Sequence, residues 1–354
     1  MKKVMTILSL IIFIVFSNQS VKSQNLEETL GNLSSSAGSA YVAPVISAFG
    51  SNLNAGWVSG APAATKFDFT LNVKVVALGS FFSDEDKTLQ ASGTFSFTES
   101  QIDRLIQNAT SGLQPGSAEY NHLKNYMLEN NEWQVSFSGP TIVGSEDDHL
   151  EVTFPGQVVE GTNFGEYHLA IDQVKGYLSE LPVLPSVAAQ LNVGTVMGTQ
   201  ASFRWFPELE IQDLGKFSFF GFGILHNPEV WFNDPLPVDI AAGFFTQTMK
   251  VGDIFESKAT QYGVWVSKSF GALVSIAPFV GFTLETSNTD VAYDYHFTGP
   301  TGASRIARVS FNLEGKNSAG VTLGTAIHLL FLDLTLDYKM AKTNTASVAL
   351  SFGL

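Results

Sequence analysis

The residues able to do chemistry are few and scattered. The 354-residue chain has six histidines and no cysteine. His122, His149, His168, His226, His296 and His328 do not pair at metal-ligand spacing. His328 is the most suggestive. It shares a polar strand face with Ser318 and Thr322, and Asp333 and Asp337 follow on the next strand. A serine, a histidine and an aspartate held together would be hydrolytic chemistry, but that needs a geometry that spacing alone does not supply. A histidine satisfied by hydroxyls or water is the stronger reading. The acidic runs Asp84-Glu85-Asp86 and Glu146-Asp147-Asp148 could offer oxygens to Ca²⁺. Neither follows EF-hand spacing, so solvated loop charge explains them better. No nucleophile elbow, zincin helix, phosphate loop or dinucleotide fingerprint occurs. The lack of cysteine excludes disulfides, thiolate metal sites, cysteine nucleophiles and a lipidated N-terminal cysteine. A pI near 4.8 lacks the basic face that nucleic acid requires. The expectation is a non-enzyme with no cofactor, no metal and no nucleic-acid partner.

Apolar groups are the remaining candidates for a binding site. Phe occurs 29 times, while only 15% of residues are charged, well below the roughly 25% usual for soluble domains. Several stretches carry apolar residues on both faces. Phe217 and Phe219 oppose Phe220, Phe222 and Ile224; Phe244 opposes Phe245; Val264 opposes Trp265; Val280 opposes Phe279. Phe49, Trp57, Phe220, Phe222, Phe245, Trp265 and Phe279 are therefore the candidate lining of an interior site for a hydrophobic small molecule. The competing reading is that these rings pack against the Tyr41–Trp57 segment or the loop helices, packing being the default for buried aromatics.

Such residues must be held by strands. Phe67, Phe69, Leu71, Val73, Val75 and Ala77 alternate with Asp68, Thr70, Asn72 and Lys74. That run is longer than the five or so residues of an ordinary strand and suits the roughly 9–11 needed to cross a bilayer at a tilt. Four more alternating runs close the sequence, from Ala307, Ala319, Leu332 and Ala346, with Gly315-Lys316-Asn317 and Lys342-Thr343-Asn344 read as turns. Further runs follow Leu191, Lys216, Val238, Lys258 and Leu273, and weaker ones lie near residues 93–98, 133–138, 150–154 and 164–172. The expected fold is an all-β transmembrane antiparallel barrel of about 14 strands, one face toward lipid and the other toward a lumen. A soluble exported β protein is the alternative.

The first residues read as an export signal. Lys2 and Lys3 precede the apolar run 4–16, and Val21 and Ser23 suit a cleavage site, so residues 1–23 are expected to be removed. Residues 24–65 form an N-terminal plug or rim segment, with Val42, Val45, Ile46, Phe49 and Leu53 at helical spacing. Residues 66–354 form the barrel, with a helical loop insertion at about 98–130. There Thr98 and Gln101 make a capping box, and Ile102, Leu105, Ile106 and Ala109 share a face. Tyr120, Leu123, Tyr126 and Met127 suggest a second helix.

Certain stretches carry a resemblance: Ser47–Trp57, Ser202–Pro207, Gly215–His226 and Pro235–Phe244. On these, the chain resembles an uncharacterised family of Gram-negative outer-membrane barrels, itself similar to the long-chain fatty-acid outer-membrane channels. The resemblance implies an outer-membrane location, contact with membrane lipid, an N-terminal plug and passage of hydrophobic, fatty-acid-like molecules. No ligand-binding motif matches, so no binding residue carries over. A structural barrel partnering a secretion or assembly system is the alternative function.

Overall fold

The computed structural model describes residues 35–95, 97–110, 113–172, 174–211, 215–234, 236–271, 273–298 and 304–353. The expected signal segment lies outside the described residues. Helix α1 (Ser35–Leu53) precedes β1 (Phe67–Phe81) and β2 (Thr88–Phe95). Helices α2 (Glu99–Ala109) and α3 (Ala118–Glu129) follow, then β3 (Trp133–Pro140), β4 (Leu150–Phe154), β5 (Gln157–Val159), β6 (Thr162–Phe164) and β7 (Tyr167–Ile171). The remaining strands are β8 (Val183–Val196), β9 (Thr199–Ile211), β10 (Gly215–His226), β11 (Asp239–Val251), β12 (Phe255–Ser267) and β13 (Phe270–Gly271). They continue through β14 (Val274–Thr298), β15 (Ser304–Glu314), β16 (Ala319–Leu329), β17 (Leu332–Met340) and β18 (Thr345–Gly353). The chain divides into two compact units.

The larger unit, residues 42–86, 180–293 and 310–354, is a closed antiparallel barrel. Its ladder runs β12-β11-β10-β9-β8-β1-β18-β17-β16-β14, and β12 then pairs with β14 to close a ring of ten strands. Alternation dictates the two faces. Along β14, Phe279, Thr283, Glu285, Ser287 and Thr289 are buried, while Val280, Phe282 and Leu284 between them are exposed. The outward apolar run on β14 extends from Val274 to Leu284, then gives way to Thr286, Asn288 and Asp290. At about 3.3 Å per residue and a tilt of roughly 40°, that run stands about 25 Å tall, the height of a lipid-facing band.

The smaller unit contains residues 87–179. Its sheet runs β2-β3-β4-β7. Trp133, Phe137 and Phe154 fill its core beside Phe95 and Phe97, with Phe97 and Phe154 edge to face at 6.2 Å. The α2 capping box forms as its sequence predicts: Gln101 N–H donates to Thr98 Oγ1, and Thr98 N–H donates to Gln101 Oε1 at 2.7 Å. Ile102, Leu105, Ile106, Tyr120, Leu123 and Met127 are buried, but Tyr126 is exposed. Tyr41, at the α1 end of this unit, donates its hydroxyl to the Lys175 carbonyl at 2.7 Å. Burial, with Tyr177 beside it, pushes its pKa up. On β7, His168 lies 2.8 Å from both Glu151 and Glu166.

Two expectations are corrected. About 14 strands were expected in the ring, and ten form it. The weak runs within 88–171 pair with one another instead. They span three to eight residues each, too short to cross a bilayer, and alternation does not say which sheet a strand joins. Gly315-Lys316-Asn317 is not a hairpin turn either, because β15 and β16 both pair with β14. The break is pinned from outside the strand: Lys316 bonds Asp86, and Asn317 Nδ2 donates to Ser51 Oγ and the Thr343 carbonyl, both at 3.0 Å.

Candidate functional site

The site is the barrel interior, and residues 49–62 contact its inward-facing side chains. Helix α1 has no basic residue in its last turn. The carbonyls at a helix C-terminus carry partial negative charge and attract cations. Here the barrel wall supplies those cations. Lys339 Nζ donates to the Ser51 carbonyl at 3.3 Å, and Arg204 Nη2 donates to the Ala55 carbonyl at 2.9 Å. Lys74 Nζ reaches the Trp57 carbonyl at 3.5 Å and Ser59 Oγ at 2.9 Å. These three cations stand on β17, β9 and β1, and all are buried.

Burying charge is unfavourable unless partners surround it. Lys339 pairs with the buried Glu285 at 2.8 Å. The Arg204 guanidinium also donates to Gln190 Oε1 at 2.9 Å and lies 3.9 Å over the Trp57 ring. Asp337 accepts from the Ser347 hydroxyl. Neutral groups complete the clasp. Ser51 and Thr345 hydroxyls meet at 2.6 Å, Ser80 donates to Asn52 Oδ1 at 2.8 Å, and Asn52 donates to the Leu184 carbonyl at 2.9 Å.

The apolar part of the interior is equally filled. Trp57 and Val58 pack with Leu225, Ala241, Phe245, Trp265 and Phe279 in one buried cluster. Trp57 and Phe245 have ring centroids 5.0 Å apart, and Phe245 meets Trp265 edge to face at 5.6 Å. Leu53 joins a second cluster with Val76, Leu78, Phe219 and Met249, against which Phe49 packs beside Phe255. A cavity of about 20 Å³ lies between Trp57, Trp265, Phe279, Asp337 and Lys339. That volume holds about one water molecule.

Of the seven predicted lining residues, Trp57, Phe245, Trp265 and Phe279 come together in one cluster. Phe49 lies inside but belongs to the other. Phe220 and Phe222 are corrected: they are 55% and 39% exposed, on the outer face of β10. Alternation separates two faces without saying which is inner. The missed signal was glycine. Gly221 and Gly223 share the inward face with Phe219 and Leu225, and a Cβ on Gly223 would meet the Phe245 ring at 2.0 Å. Phe245 needs that space, so inward-facing glycines mark where rings lie.

Also missed were the buried Lys74, Arg204, Glu285, Asp337 and Lys339. Their signal was a charged residue set among hydroxyl- and amide-bearing residues on the alternating polar face of a strand. His328 does lie 2.8 Å from Asp333. Thr322 and Ser318 precede it by six and ten positions, roughly 20 Å and more at about 3.3 Å per residue, so they do not complete a triad with it.

A model of a family of unknown function (DUF6588) matches residues 1–354. The chain belongs to that family. No curated protein matches it. Among solved structures, it is similar to a loop-deletion mutant of OmpT, an outer-membrane protein of Vibrio cholerae. That match has 7% identity, covers 81% of this chain and 98% of that one, and has a TM-score of 0.22. It is also similar to the transport unit of the autotransporter AIDA-I from Escherichia coli, at 8% identity over 87% and 97% of the two chains, with a TM-score of 0.24. Ail, the attachment invasion locus protein of Yersinia pestis, matches at 11% identity over 44% and 93%, with a TM-score of 0.20. None of these three is a fatty-acid channel, and at such scores the barrel rests on its own strand ladder.

Proposed function

We propose that this family member is an outer-membrane barrel with a plugged lumen, which serves as a membrane-anchored platform for the unit built from residues 87–179. The observation that carries this reading is the filled interior. Three wall cations, a belt of hydroxyls and amides, and a packed aromatic cluster all engage residues 51–59. An open channel would instead present a polar, water-filled interior. The apolar band on the outside supports the membrane location, as does the export signal read in the sequence. The insertion between β1 and β8 is then the working part, and its partner is a protein or surface outside the barrel.

Reconstitution tests this. The expected result is recovery in the outer-membrane fraction and no steady conductance in planar bilayers. Steady conductance from the unmodified protein would overturn the platform reading. A second reading keeps the barrel as a route or binding site for a hydrophobic small molecule. The Trp57–Phe245–Trp265–Phe279 cluster favours it, since withdrawal of Trp57 would leave an apolar recess. Saturable uptake of a lipid-like probe by vesicles carrying the protein would select it.

A further inference from the structure

We infer that the chain is threaded through its own barrel, so that what precedes Val42 leaves the ring at the end opposite to that of Gly353. The strand registers define two ends. At one, Ser80 of β1 pairs with Thr345 of β18 and with Leu184 of β8. At the other, Asn72 pairs with Gly353, and Phe67 pairs with Val196.

The N-terminal segment touches both ends in order. Ser51 and Asn52 bond Thr343, Thr345, Ser80 and Leu184, all at the first end. Ala55 and Trp57 sit at mid-height on Arg204, Gln190 and Lys74. Ala61 N–H donates to Ser267 Oγ at 2.9 Å, Asn227 donates to the Pro62 carbonyl at 2.9 Å, and Gly198 N–H donates to the Thr65 carbonyl at 3.0 Å. Ser267, Asn227 and Gly198 belong to the second end. The contacts are made by buried inward side chains, such as Lys74, Ser80, Gln190, Arg204 and Thr345, and not by the exposed Val73, Val75 and Phe203 between them. The segment therefore crosses inside the ring, and β1 returns along the wall.

This inference goes beyond the platform reading and does not depend on it. Short turns of outer-membrane barrels face the periplasm and long loops face outward. The turns at Met197-Gly198 and Leu330-Phe331 lie at the second end, and the 82–182 insertion leaves from the first. Threading thus delivers the chain preceding Val42 to the outer side.

The cysteine-free chain makes the test direct. One variant carries Ser51→Cys with Thr345→Cys, a second Ala61→Cys with Ser267→Cys, and a third carries all four. Oxidation in membranes should close both pairs within one molecule, seen as additive mobility shifts on gels. Closure of the 51–345 pair while 61–267 stays open would mean the segment enters and leaves by one end, overturning the inference. Should the cysteine variants fail to fold, epitope tags inserted before Ser35, at Gly116 and at Asn233-Asp234 replace them. Antibody on intact cells should label the first two, and reach the third only after permeabilisation. A tag before Ser35 that behaves like the one at 233–234 overturns it. A protein recovered in the soluble fraction would sink the membrane reading while leaving the cross-links to decide threading.

Discussion

Trp265 of β12 stands directly across the ladder from Gly281 of β14, and a Cβ on that glycine would lie 2.4 Å from the indole nitrogen. The same relation recurs twice. Phe245 faces Gly223 across β11 and β10, and Phe279 faces Gly324 across β14 and β16. Each ring lies over a bare stretch of the neighbouring strand. A glycine there loses strand propensity and regains stability by admitting a ring.

Gly281→Val should therefore destabilise the barrel by about 1–3 kcal/mol, the usual range for forcing extra volume into a packed interior. Trp265→Ala should lose about 3–5 kcal/mol by leaving a void. Urea unfolding in detergent micelles, followed by tryptophan fluorescence, measures the first; circular dichroism serves for the second. An unchanged midpoint for Gly281→Val would mean the indole is free to move aside.

Lys339 and Glu285 form a buried ion pair, and Glu285 Oε1 has no hydrogen-bond partner. Lys339→Met alone leaves a buried carboxylate uncompensated, so a loss of about 3–5 kcal/mol is expected. Adding Glu285→Leu should recover most of it. A double-mutant cycle with no coupling would refute a direct pair.

Arg204 holds the threaded segment by a hydrogen bond to the Ala55 carbonyl and by stacking on Trp57. Arg204→Ala should cost about 1–3 kcal/mol, because the carbonyl and Gln190 lose a buried donor. Arg204→Lys should restore little, since an ammonium lacks the planar fork. Protease cutting within residues 54–61 and bilayer conductance report the loosening; both should rise in the alanine variant.

Val280 faces outward near the middle of the β14 apolar run, whereas Lys258 on β12 lies beyond the apolar stretch. Val280→Arg should destabilise by about 2–4 kcal/mol in bilayers. Lys258→Gln should be near neutral. Equal effects at the two positions would argue that no lipid meets this face.

His168 is held above the ordinary histidine pKa by the hydrogen bonds it donates to the carboxylates of Glu151 first and Glu166 second. Its folded value is the raised one. Its contribution to the 87–179 unit is thus complete below the unfolded value of about 6.5 and fades as pH rises through the folded value. NMR titration should show the elevated midpoint, and Glu151→Gln with Glu166→Gln should return it toward normal. An unshifted midpoint in the unmodified protein would rule the contacts out in solution.

Much of this molecule is local and was therefore readable. Period-2 alternation located β1, β10, β14 and β16–β18, because each side chain's face follows from its own strand. The spacing of Val42, Val45, Ile46, Phe49 and Leu53 located α1, and Thr98 with Gln101 located the start of α2. Pairing is not local. Nothing in residues 133–171 announces that they join a separate sheet, and nothing in Gly315-Lys316-Asn317 separates a kink from a reversal. Phe220 and Phe222 faced the wrong way for the same reason, since alternation is symmetric until a partner strand and its glycines choose the inside. The charges on Lys74, Arg204 and Lys339 were visible, but what they hold was not. Their partners are the carbonyls of Ser51 in the last turn of α1 and of Ala55 and Trp57 beyond it, all distant in sequence from the strands that carry the cations. The sequence by itself determined strands, helices and a Phe-rich composition low in charge. Tertiary structure alone decided which backbone carbonyls those cations reach, because residues 51–57 and the wall strands are far apart in sequence and meet only on folding.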